Sequence, residues 1–181
     1  MQKQRPEIGI VPVGDISHIL LDVIAAHITE YLHLEAIIMP AVNLPLQAWH
    51  QNRQQYNVGQ ILAYLAANKD GGVEKVLGVL AVDLFIPIFT HVFGGAKQGA
   101  DCAIVSIYRL MDHPQEGTAP SPRLLERSTK VALHEIGHLL NLVHCDDTHC
   151  LMHFSGNIGE LDQLPVFFCR YCRSFLKQPR S

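Results

Sequence analysis

Apolar residues along this chain come in blocks whose period changes from one block to the next. Ile8, Ile10, Val11 and Val13 lie between Glu7 and Gly14, and Gly14-Asp15 breaks the run, so Glu7 to Gly14 predicts a strand. The period then lengthens. Ile16, Ile19, Leu20, Val23, Ile24 and Ile28 recur three and four residues apart, which predicts a helix to about His33 with Asp15 as its N-cap. Ala36 to Val42 predicts a second strand. Gln54 to Asn68 predicts a helix on Val58, Ile61, Leu62 and Leu65, closed by Asp70-Gly71-Gly72. Val76 to Asp83 and Asp101 to Leu110 predict a third and a fourth strand. The glycine-rich stretch Phe93 to Gly99 lies between those two, and no helix follows it, so it is a poor phosphate loop.

Ser121-Pro122 opens a long helix, with serine as cap and proline in the first turn. Leu125, Ser128, Ala132, Ile136 and Leu139 continue it at helical spacing to Leu140. From Asn141 to Ser181 the pattern is irregular and rich in cysteine and histidine. Such a tail cannot order itself on apolar area alone, so something else must fix it.

Composition narrows the function. The chain has 181 residues, 48% apolar and 17% charged, a globular composition long enough for one domain with its own core. The expected organisation is a single domain over 1–181, with an N-terminal lobe to about 141 and a C-terminal lobe from about 142. A net charge of −3 and a pI near 6.4 leave no basic footprint for nucleic acid or an anionic membrane. The run Ile8 to Val13 is too short for a signal-peptide core, and no stretch approaches the ~20 apolar residues of a membrane span. A cytoplasmic monomer is the expectation. In that compartment five cysteines argue for metal binding or chemistry before disulfides.

The chemistry concentrates in His134-Glu135-Ile136-Gly137-His138-Leu139-Leu140-Asn141-Leu142-Val143-His144. Two histidines four apart on a helix project from one face, and both can reach one zinc at ~2.0–2.1 Å. Glu135 is rotated about a third of a turn away, suited to take a proton from a water rather than to bind the metal. His-Glu-x-x-His also occurs by chance as a solvated histidine pair. His144 favours the metal: a turn at Asn141 can swing it back as a third ligand and leave a fourth position for water. Asparagine tolerates the left-handed conformation that this turn needs.

Cys145 and Cys150, then Cys169 and Cys172, carry x4 and x2 gaps that suit a closed structural zinc. Two disulfides or four inert thiols are the alternatives, both disfavoured by the compartment and by clustering in an otherwise unstapled tail. Two zinc ions per chain, one catalytic and one structural, are expected.

Together these residues resemble the archaemetzincins, a branch of the metzincin metallopeptidases, over about 134–172. The resemblance implies an α+β fold: a twisted mixed sheet and helices, including the zinc helix, in the N-terminal lobe, and a small irregular zinc-stapled C-terminal lobe. It implies hydrolysis of peptide bonds in a peptide or protein substrate, with Glu135 as base. The remaining alternatives are a zinc hydrolase of another amide and a silent peptide-binding module. It also implies that Met152 forms an apolar floor beneath the histidines. Gly94 to Leu110 would be the substrate-pairing edge strand, Asp101 to Leu110, and the loop before it, with a plain buried strand over Asp101 to Leu110 as the alternative. Two positions depart from the family pattern. Asn141 stands where a glycine is usual, and Phe154 stands where some metzincins carry an oxyanion-stabilising tyrosine. His149 and His153 are the nearby substitutes for that tyrosine. Cys102 has no partner in this scheme and is expected to be a small core residue.

Overall fold

The computed structural model describes residues 7–112 and 119–178, so the leading residues 1–6 lie outside it. In chain order its elements are β1 (Ile8–Val13), α1 (His18–Leu32), β2 (Ala36–Ile38), β3 (Trp49–His50), β4 (Gln55–Asn57), α2 (Val58–Ala67), β5 (Lys75–Leu80), β6 (Leu84–Ile86), β7 (Phe89–Val92), β8 (Gly94–Ala96), β9 (Cys102–Ser106), α3 (Pro122–Leu139), α4 (Ile158–Gln163) and α5 (Arg170–Leu176).

Strand alternation sets the layering. The main sheet runs β2-β1-β5-β9-β8, parallel except for β8, which pairs antiparallel with β9 at the edge. Ile8, Ile10, Leu77, Val79, Ala103 and Val105 point to one face and are buried with α1 and α3. Val11, Val13, Val76, Leu80, Cys102 and Ile104 point to the other, under Val58, Ile61 and Leu65 of α2. A sheet covered on both faces needs near-continuous apolar strands, which is what these blocks are. α2 comes close at Gly78, where a Cβ would lie 2.6 Å from Leu65 Cδ1. A smaller sheet, β3-β4-β6-β7, lies beside the first.

Several expected boundaries move. α1 begins at His18 with Ser17 rather than Asp15 at its cap, and Ile19 turns out to solvent while Leu21 and Leu32 face inward. The second strand stops at Ile38, and Val42 returns only as a single bridge to Val13. The residues before Val58 are strand β4, with Asn57 capping α2 by accepting from Gln60 N–H. The edge assignment is corrected. Cys102–Ser106 lies between β5 and β8, and the edge is Gly94–Ala96, the stretch expected to be a loop. The tail is less irregular than expected, because it holds α4 and α5. Among the described residues no helix is long and apolar enough to cross a membrane.

Candidate active site

Both ends of α3 are fixed, and this aims its residues. Ser121 Oγ accepts from Leu124 N–H at 3.1 Å with Pro122 in the first turn. At the far end Asn141 adopts φ 70, and Leu142 N–H returns to Gly137 O at 2.9 Å. This is the left-handed stop that asparagine permits. Beyond it the chain doubles back, so the His144 ring lies 5.2 Å from that of His134 and 4.9 Å from that of His138.

The tautomers of the helical pair follow from their partners. His134 Nδ1 faces Leu151 O at 2.8 Å and His138 Nδ1 faces Leu142 O at 2.9 Å. Carbonyl oxygens only accept, so each Nδ1 carries the proton and each Nε2 presents a lone pair. Those two Nε2 atoms are 3.1 Å apart. Such lone pairs repel unless a cation lies against both. Burial holds His134 down to about 4, so that ring is neutral at neutral pH. Burial also lowers His144. Nitrogens around a tetrahedral zinc lie about 3.3–3.4 Å apart, so this donor set fits that ion.

Glu135 is buried, and burial pushes its carboxyl up to about 8. The edge strand comes down onto it: a Cβ on Gly94 would lie 3.0 Å from Glu135 Cγ and Oε1 and 2.6 Å from Ile104 O. Met152 is fully buried, its Sδ occupying the space over Gly137, where a Cβ would come within 2.6 Å. Cys145 N–H donates to Met152 O at 2.9 Å, which ties this turn to the residue after His144.

The four tail cysteines form a second cluster. Cys145 Sγ is 3.9 Å from Cys169 Sγ, and Cys150 Sγ is 3.7 Å from Cys172 Sγ. All four sulfurs lie within 4.8 Å of one another, and all are free thiols. A tetrahedron with zinc–sulfur bonds of ~2.3 Å has edges of about 3.8 Å, so the spacing suits a four-thiolate site and not a disulfide. Burial pushes the Cys150 and Cys172 thiols up, and a dication among them would reverse that. Cys102 is buried in β9, as expected.

A cavity of about 220 Å³ opens beside the three histidines and Glu135. Neither His149 nor His153 is among the residues that line it. His153 Nδ1 donates to Cys145 O at 2.9 Å, and the His149 side chain is 89% exposed beside Asp147. Phe154 stands edge-on to His144 with centroids 5.4 Å apart.

Sequence reasoning missed the polar frame behind the site. Arg127 is buried, with its guanidinium on Asp162 at 2.6 and 2.7 Å, Asp112 at 2.7 Å and Leu110 O at 2.9 Å. Lys130 is also buried, its Nζ 2.6 Å from Glu126 and 3.3 Å from the carbonyls of Leu161 and Asp162. Together they clamp α4 against α3. Their signal was present in the sequence, because Arg127, Lys130 and His134 step three and four residues along the buried stripe of one helix.

The chain is similar in sequence and fold to known proteins. The sequence pattern of Peptidase family M54 matches residues 15–178. The archaemetzincin of Archaeoglobus fulgidus is 34% identical over 171 residues, covering 94% of this chain and 99% of its own. That of Methanopyrus kandleri is 36% identical over 160 residues, covering 88% and 87%. The solved structure of the M. kandleri archaemetzincin superposes with a TM-score of 0.85 at 32% identity, over 98% of this chain and 96% of that one. A zinc-dependent peptidase from Methanocorpusculum labreanum gives 0.84 at 27% identity, over 94% and 100%. With its α+β metzincin-like fold and its separate histidine and cysteine clusters, the chain belongs to peptidase family M54 and is a zinc metallopeptidase of the archaemetzincin type.

Proposed function

We propose that His134, His138 and His144 hold a catalytic zinc and that Glu135 is the general base for peptide-bond hydrolysis. The observation that carries this reading is the pair of unprotonated Nε2 atoms 3.1 Å apart, beside a buried carboxyl and an open strand edge. When bound, the zinc supplies a polarised carbonyl and an acidified water. Glu135 takes the attacking water's proton at a carboxylate oxygen and returns it to the leaving amine. A dication nearby favours the ionised carboxylate over the protonated one that burial alone would keep, so the base becomes competent when the metal site fills.

Substrate is held by main-chain pairing to β8, whose outer side carries no strand among the described residues. Met152 supports the histidines from below, and Asn141 makes the turn that presents His144. Cys145, Cys150, Cys169 and Cys172 hold a structural zinc. His144 and Cys145 are neighbours serving different metals, so the order of the tail and the position of the third histidine are linked. On this reading residues 1–181 act as one catalytic domain, with lobes meeting near 141–142, and the substrate is a peptide or protein.

The test compares two variants on zinc-replete protein. Glu135→Gln keeps size and zinc but cannot accept a proton, so peptide hydrolysis falls on the order of 10²–10⁴-fold at unchanged metal content. His138→Ala loses activity together with one zinc, because it removes one of three protein ligands. Cleavage at the wild-type rate by Glu135→Gln would remove Glu135 from the mechanism.

A further inference from the structure

Two aromatic rings that line the cavity meet each other. Phe89 opens β7, Phe154 lies two residues beyond Met152, and their centroids are 6.0 Å apart at a tilt of 34°. Both line the cavity together with His134, Glu135 and His144. Each stays open to solvent, at 43% and 48%, so neither is there to complete the core.

The backbone at Phe89 is held from behind by polar contacts. Arg53 Nη2 donates to Phe89 O at 2.9 Å and Thr90 O at 3.3 Å. Gln55 Nε2 donates to Thr90 O at 2.9 Å and to Asp83 at 3.0 Å, and Arg109 grips that same carboxylate through two 2.6 Å contacts. The Arg53 guanidinium also lies over the Phe85 ring at 4.2 Å. These contacts settle where the tip of the hairpin stands, and therefore where Phe89 meets Phe154.

Rings at this separation are in contact, so no chain passes between them. A strand paired to a sheet edge takes about 4.7–4.9 Å, and a second strand beside it needs as much again. A loop brings two chains in side by side and so needs twice the width of a single extended chain. We infer that the Phe89–Phe154 bridge makes this site selective for single extended chains, such as short peptides, chain ends and unfolded segments, against loops of folded proteins, with Phe89 as the selecting residue. The inference rests on the proposed peptidase reading of the cleft, and the test separates the two.

Calorimetry on zinc-loaded protein measures binding of acetohydroxamate, which is slender, and adamantane-1-carbohydroxamate, which is bulky. Phe89→Ala should tighten the bulky ligand by about tenfold, the upper end of what one aromatic pair contributes, and leave the slender one unchanged. In parallel, hydrolysis is compared for a linear peptide and the same sequence closed into a ring by a disulfide. Phe89→Ala should raise kcat/KM on the ring about tenfold and change the linear peptide by less than about threefold. Phe154→Ala, which removes the other ring of the bridge, should shift both preferences the same way, so a folding defect in one variant does not decide the result. Equal preference for bulky and slender ligands in the wild type, or variants that leave both ratios unmoved, overturns the bridge. If neither peptide is cleaved by any variant while the bulky hydroxamate still gains, the bridge stands and the peptidase reading falls.

Discussion

Asn141 and Gly99 face each other, both left-handed, with φ 70 and 68. The Asn141 side chain fills the space a Cβ on Gly99 would take, its Oδ1 lying 2.5 Å from that point. Gly99 N–H donates to His138 O at 2.9 Å, and Gln98 Nε2 donates to Asn141 O at 3.1 Å. The Asn141 side chain is therefore accommodated by a glycine across the contact. Asn141→Gly should keep zinc affinity, since glycine takes this φ freely, but it gives up the packing on Gly99 and so gains little stability. Asn141→Val should weaken zinc binding about tenfold or more, because a β-branched residue at positive φ costs of order 1–3 kcal/mol. Competition with a chelator measures both. Wild-type affinity in the valine variant would mean that this turn does not position His144.

At the scale of elements, the docking of α4 on α3 should be acid-sensitive. Arg127's hydrogen bond holds Asp162 below the ordinary carboxylate range, and the same guanidinium lowers Asp112. A depressed folded pKa gives stability that is present above the unfolded value of about 3.9 and is lost as pH falls through the folded value. Asp162→Asn should thus be less stable than wild type near pH 7, by about 1 kcal/mol given the carboxylate's partial exposure, and the difference should vanish toward pH 2. Denaturant titrations across that range read it; a gap constant with pH would show that the ion pair is not its source. The elements seen in advance were those with enough residues to show a period. Helix α3 was legible from Ser121 to Leu140, and β1 from its apolar block. The rest lacked length. β3, β4, β6 and β8 span two or three residues each, and Gly94-Gly95-Ala96 carries almost no side chain to pattern, so the edge strand was mistaken for a loop. α4 and α5, at six and seven residues, are scarcely longer than the repeat that would reveal them.

Across the whole molecule, two separate donor sets meet at the junction of His144 with Cys145. The candidate ligands were legible because a helical spacing and two short cysteine gaps fix them locally. Phe89 was not, because its partner Phe154 lies 65 residues away; Arg127 shows in the sequence as a charge on a buried stripe, but its partner Asp162, 35 residues on, is brought to it only by the fold. Cys150→Ser should lose one zinc of two and lower the thermal midpoint, since metal that binds only the folded tail contributes its binding energy to folding. It should also weaken the histidine site through the shared 144–145 junction. Elemental analysis with thermal unfolding checks this, and a variant that keeps two zincs and its stability would exclude the cysteine cluster as a metal site.

The central claim is that three histidines hold the catalytic metal while Glu135 stands beside it unbound. Anomalous diffraction at the zinc edge from zinc-loaded crystals tests that most directly. Two peaks per chain are expected. One should lie ~2.0–2.1 Å from a ring nitrogen of each of His134, His138 and His144, with the Glu135 oxygens beyond bonding distance, and the other ~2.3 Å from all four cysteine sulfurs. A histidine-site peak within bonding distance of Glu135, or no peak there at all, would contradict it.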